Sequence, residues 1–189
     1  MRYANALWAS IALLLFSVVD VLAQEPTAQA REPLAAAARD AQHLAECIKA
    51  LDAGCAAPLY DARSYELLNR LQNGRFSAEL NAKDLARSFE TLRQRRVRYT
   101  HFETSPPQDL FADGVRVYAF VPYQKGIDFP EDKRRSGIRS FLVALSADQG
   151  KTWTFVDAEG FTAEEVRYII PSYANQPLPD TVWMDGTME

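Results

Sequence analysis

Residues 146–155 read SADQGKTWTF, and the way they fold decides how the rest of the chain is arranged. GIRSFLVALS (137–146) leads into them and KTWTFVDA (151–158) leads out, both with the β-branched and aromatic content of strands. Between the two runs, Ala147, Asp148, Gln149 and Gly150 suit a tight turn with Gly150 left-handed. The short side chains of Ser146 and Asp148 are placed to hydrogen-bond neighbouring backbone amides. The stretch therefore predicts a hairpin, with Trp153 and Phe155 on one face and Thr152 and Thr154 on the other.

Working outward, two more runs have a period of two: VRYTHFET (97–104), which ends before Pro106 and Pro107, and GVRVYAFVPY (114–123). With Gly114, Gly126 and Gly150 as turn formers, four strands in an antiparallel meander are expected, and residues 124–136 read as a polar loop. Upstream the period is helical. Leu34, Ala37, Ala38, Ala41, Leu44, Ala45, Ile48 and Leu51 recur at spacings of three and four, and Gly54 stops the run. Pro58 suits the first turn of a second helix that stops near Gly74, and Asn81 suits the cap of a third. Thr162 and Glu165 form a capping box ahead of a short helix that ends before Pro171. Residues 34–171 thus make one α+β domain, and residues 172–189 form a proline-containing tail that is extended apart from a docking role for Trp183.

Ser146–Trp153 also fits the pattern Ser-x-Asp-x-Gly-x-Thr-Trp, which resembles the Asp-box of sialidases and other β-propeller proteins. A propeller needs such a hairpin in each of several blades, and one copy behind a helical first half excludes it. A second likeness covers more of the chain. RSFLVALSADQGKTWTFVDAEGFTAEEV (139–166) and RVYAFVP (116–122) resemble the closing part of small exported bacterial proteins in the nuclear-transport-factor-two-like, or cystatin-like, superfamily, mostly of unassigned function. That resemblance implies N-terminal helices packed on a curled antiparallel sheet of about four strands, with a conical cavity. Ketosteroid isomerase and scytalone dehydratase share the architecture, but none of their catalytic residues aligns with this sequence.

The first 23 residues read as a signal peptide: Arg2, an uncharged apolar run over 3–19, and small residues at a cleavage site ending at Ala23. Residues 24–33 follow as a polar linker with two prolines. An exported, periplasmic or extracellular location is expected, with no membrane segment after cleavage. A net charge of −4 argues against nucleic-acid binding, which draws on clustered positive charge. Cys47 and Cys55 are the only cysteines, and in an exported chain they are expected to form a disulfide. His43 shares a helix face with Cys47, but an oxidised cysteine is no nucleophile. Two histidines 58 positions apart give no recognised metal-ligand spacing, so neither a metal nor a cofactor is expected.

The alternation of 97–104 places Tyr99, His101 and Glu103 on one face of a strand. Turned into a cone, His101 and Glu103 would form an acid–base pair of isomerase, dehydratase or hydrolase type. Tyr99, Tyr118 and Arg139 would then be the groups binding an anion or carbonyl. The competing expectation is a non-enzymatic binding module for a small hydrophobic or anionic ligand, with the sheet also offering a homodimer surface.

Overall fold

Val117, Ala119, Val121 and Tyr123 alternate with Tyr118 and Phe120, so strand β3 (Arg116–Phe129) is apolar on both faces. A strand of that kind belongs in the middle of a sheet covered on both sides. The computed structural model describes residues 28–71, 82–173 and 177–187 and places it there. β3 pairs antiparallel with β4 (Arg134–Ser146) without a break from Val117↔Ser146 to Phe129↔Arg134.

The expected polar loop over 124–136 is instead the continuation of this hairpin. Only Pro130 to Lys133 leave the ladder, in a 3-10 turn (Pro130–Asp132) closed by left-handed Lys133 (φ 47°). The charges that made the segment read as a loop are absorbed across the strands. Asp128 faces Arg135 in the register and accepts from its Nε at 2.7 Å.

The meander expected from the sequence is present, in the order β1-β3-β4-β5, with β1 at Arg98–Thr104 and β5 at Thr154–Asp157. Two further strands raise the total to six. Strand β2 (Gln108–Asp113) continues the edge of β3 that β1 begins, after the break at Pro106 and Pro107. Strand β6 (Val182–Thr187) lies in the expected tail and continues the edge of β4 that β5 begins. Trp183 is paired with Ile138 in that register, and its side chain stays more than half exposed.

Helix α1 (Ala28–Lys49) starts six residues before the expected Leu34 and carries Pro33 inside it. The described part of the expected linker is therefore helical. Helices α2 (Ala53–Ala56), α3 (Ala62–Leu71) and α4 (Ala82–Gln94) follow, and α5 (Ala163–Ile169) opens on the expected capping box. The signal peptide, the stop at Gly74 and the Asn81 cap lie outside the described residues. Cys47 and Cys55 form the expected disulfide. Among the described residues, no helix is long and apolar enough to cross a membrane.

The two faces of the sheet bury different sets. Ala119, Val121, Leu142, Ala144, Trp153 and Phe155 pack against α1, α2 and α4 on the inner face. Tyr118, Phe120, Phe141, Val143 and Val156 pack with Val166, Ile169, Ile170 and Tyr173 on the outer face. Each of these large side chains contributes about 1.5–3 kcal/mol by leaving water.

The 146–155 turn packs against Pro33 in the N-terminal part of α1. Asp148 Oδ1 accepts from the amides of Lys151 (3.1 Å) and Thr152 (3.0 Å), and Ser146 Oγ accepts from the amide of Gly150 (2.8 Å). Ser146 Oγ in turn donates to Asp148 Oδ1 (2.7 Å) and Thr152 Oγ1 to Oδ2 (2.8 Å), and the bonds from Thr152, Ser146 and Lys151 hold the Asp148 carboxyl below its ordinary range. Gln149 (φ 63°) and Gly150 (φ 87°) are both left-handed, and Trp153 Nε1 donates to Gly150 O at 3.0 Å. A Cβ on Gly150 would stand 2.5 Å from Cβ of Pro33. Gly150→Ala should therefore lose about 2–3 kcal/mol in urea unfolding, of which left-handed strain supplies about 1. In a Pro33→Gly background the loss should shrink to that strain alone. An unchanged loss there would show that Pro33 is not seated on the turn.

Candidate functional site

The expected row Tyr99, His101 and Glu103 is broken by one extra residue. Tyr99 faces Ile127 and His101 faces Gly126, so Thr100 is surplus to the β1–β3 register. A bulge of this kind reverses which side chains share a face. Tyr99 consequently joins Phe102 on the inner face, their rings 6.5 Å apart, and His101 and Glu103 lie exposed on the outer one. Gly126 is the partner the bulge demands, because a Cβ there would stand 2.5 Å from His101 Cε1. His101 Nδ1 is 3.2 Å from Thr100 Oγ1, whereas Glu103 accepts from Gln124 Nε2 at 3.1 Å. The acid–base pair inside a cone expected from the sequence is thus not formed. Arg139, opposite Gln124, is also exposed on this face.

What the inner face carries instead is a charged cluster with no sequence forewarning. Lys125, 8% exposed, stands opposite Phe102 and Ile138. Its Nζ lies 2.7 Å from Glu159 and 3.4 Å from Asp157, and 5.1 Å from the centre of the Tyr123 ring. Tyr123 Oη donates to Asp157 (2.8 Å) and lies 3.2 Å from Glu159. Burial works against the lysine charge, but the two carboxylates outweigh it and raise its pKa. Burial, then the same carboxylates, raises Tyr123 strongly, and burial raises Tyr99. Every charged group here has a partner. The cluster is closed chemically: one cation is shared by two carboxylates and a phenol, and it ties β3 to the end of β5.

A different arrangement lies on the outer face, at the other end of the sheet. A cavity of about 200 Å³ opens between the ends of β3, β4 and β5 and helices α3 and α5. Leu67, Leu145, Tyr168 and Ile169 supply its apolar wall, and Arg63, Arg116, Asp61 and Thr154 its polar side. Asp61 is committed to the fold, accepting from Ser64 N (2.7 Å) and Thr154 Oγ1 (2.9 Å). Arg63 and Arg116 make no ion pair among the described residues. Tyr118 also lines the cavity, and it is 1% exposed. Its hydroxyl is the buried polar side-chain atom left without a partner among the described residues. An orphaned hydroxyl costs about 1–3 kcal/mol, and such a group in a native fold calls for strain, a chemical role or a bound water, ion or ligand to account for it. Of the candidate site residues named from the sequence, Tyr118 alone lines this cavity; β-periodicity identified it without revealing its face.

Comparisons with family models, with characterised proteins and with solved structures give no match.

Two outcomes test the closed cluster. Lys125→Met leaves Asp157 and Glu159 beside a buried phenol without their cation, and should lose about 3 kcal/mol in urea unfolding at neutral pH. Adding Glu159→Gln should recover part of that loss in a double-mutant cycle; full additivity would show that the groups do not interact. Tyr65, Tyr99, Tyr123 and Lys125 all keep their protons to higher pH folded than unfolded. Their contribution is therefore complete below the ordinary tyrosine value of 10.0 and falls as pH rises beyond it. Thermal midpoints should drop steeply above that pH, and less steeply in Tyr123→Phe.

Proposed function

We propose that the chain is an exported binding module of nuclear-transport-factor-two-like architecture, periplasmic or extracellular, that holds a small organic anion in the Tyr118 cavity. The observation that carries this reading is the buried Tyr118 hydroxyl, unpartnered among the described residues, in a cavity lined by two arginines that make no ion pair among them. A carboxylate would accept from the phenol and from Arg116 or Arg63, and an aromatic or aliphatic body would lie against Leu67, Leu145 and Ile169. The closed Lys125 cluster adds nothing to a reaction, and the exposure of His101 and Glu103 removes the support for an enzyme built on that pair. The disulfide fits an oxidising compartment.

Benzoate is a suitable first probe. It should raise the thermal midpoint of the wild-type protein, and Arg116→Ala should abolish the effect. Tyr118→Phe gives a signature that an ordinary hydrogen-bonded tyrosine would not. Without ligand it should be as stable as wild type or gain about 1 kcal/mol, since the orphaned hydroxyl is gone, yet it should bind benzoate several-fold more weakly. A Tyr118→Phe variant that is destabilised and binds benzoate as tightly as wild type, together with protein from the envelope that carries no small molecule in native mass spectrometry, would sink the proposal. N-terminal sequencing of that envelope protein should begin at Gln24.

A further inference from the structure

His43, Cys47 and Cys55 converge where α1 ends. His43 Nε2 lies 4.0 Å from Cys47 Sγ and 3.8 Å from Cys55 Sγ, and the three donor atoms fall within 4.8 Å of one another. The sequence placed His43 on the helix face of Cys47 and paired Cys47 with Cys55, but its histidine spacing gave no metal signature. In the oxidised chain both sulfurs are committed to their bond.

The corner around them has anchors of its own. Leu51 takes the left-handed conformation (φ 55°) that ends α1, and Asp52 N donates to Cys47 O at 2.9 Å. Asp52 Oδ1 accepts from Cys55 N at 3.0 Å, capping α2. Arg93 Nη2, from α4, donates to Leu51 O at 2.7 Å. Each of these contacts holds the turn between the two cysteines without using a sulfur. The Cα atoms of Cys47 and Cys55 are 5.5 Å apart. A tetrahedral zinc ion with Zn–S of about 2.3 Å sets its sulfurs roughly 3.7 Å apart, which side-chain rotation can reach from that backbone. His43 is exposed and Cys55 half-buried, so reductant and ion both have access.

We propose that reduction of Cys47–Cys55 turns this corner into a site for a thiophilic d10 cation of the zinc type. Its ligands are the two thiolates and His43 Nε2, with the fourth position open to solvent. The disulfide takes up two electrons and two protons from a dithiol, which leaves as its own disulfide. The ion then displaces the two thiol protons and draws its nitrogen donor from neutral His43. Oxidation of the pair removes both thiolates and releases the ion, so binding is coupled to the redox state. Soft sulfur with imidazole selects zinc over magnesium or calcium. The site is independent of the Tyr118 cavity, and the failure of either proposal leaves the other standing.

The test uses Co²⁺ as a spectroscopic probe on residues 24–189, reduced with a phosphine under anaerobic conditions. One equivalent of Co²⁺ should produce sulfur-to-cobalt charge-transfer absorption, which Zn²⁺ removes on addition and which the oxidised protein never shows. Cys55→Ser should abolish it. His43→Gln, at an exposed position, should keep the fold by circular dichroism and weaken binding at least tenfold. The proposal is overturned if the reduced wild-type protein gives no charge-transfer band, if His43→Gln binds Co²⁺ as well as wild type, or if reduction alone unfolds the domain.

Discussion

The unbroken ladder between β3 and β4 is the constraint on which the rest depends. Both strands are long enough that each outer edge is shared by two shorter strands, β1 with β2 and β5 with β6. Their register alone decides which of Tyr118, Phe120, Tyr123 and Lys125 point to which layer. Helices α1 and α5 then cover what the ladder presents. Proline and glycine shape the shorter strands around it: Pro106 and Pro107 split one edge, and the excursion through α5 splits the other.

The two polar arrangements on the sheet differ in kind. On the inner face Lys125, Asp157, Glu159 and Tyr123 consume one another's hydrogen-bonding capacity, so the cluster fixes the position of one strand end and has little left for a ligand. On the outer face the Tyr118 hydroxyl and two arginines keep theirs. Perturbed titration alone would have pointed to the first set; counting unmet partners points to the second. Strong pKa shifts accompany structural ion pairs as readily as binding sites.

Local pattern revealed the α+β class, the 146–155 hairpin, the capping box of α5 and the disulfide, because each is set by residues close in sequence. Residues 124–136 were misread because Lys125, Asp128, Arg134 and Arg135 look like a solvated loop until cross-strand partners are known. Strand β6 was hidden in the tail because VWMDGT has no alternation of its own and pairs through its backbone. Asp157 and Glu159 are ordinary acidic residues in sequence, and nothing local brings them to a lysine more than 30 positions away. Tyr118 was legible as a strand residue, but its missing partner is a property of three dimensions.

The bulge at Thr100 makes chain length, as well as residue identity, part of what specifies the inner face. Phe102 and everything after it pair with β3 without help, and Arg98 and Tyr99 stay in the same phase only because the bulge absorbs Thr100. A regular ladder through the same residues would set Thr100 opposite Ile127 and turn Tyr99 toward water, whereas loss of Thr100 would leave Tyr99 opposite Ile127 as it is now. Drift in this lineage should therefore tolerate many exchanges at the exposed Thr100 position and even its loss, with Gly126 free to change only where the bulge has gone.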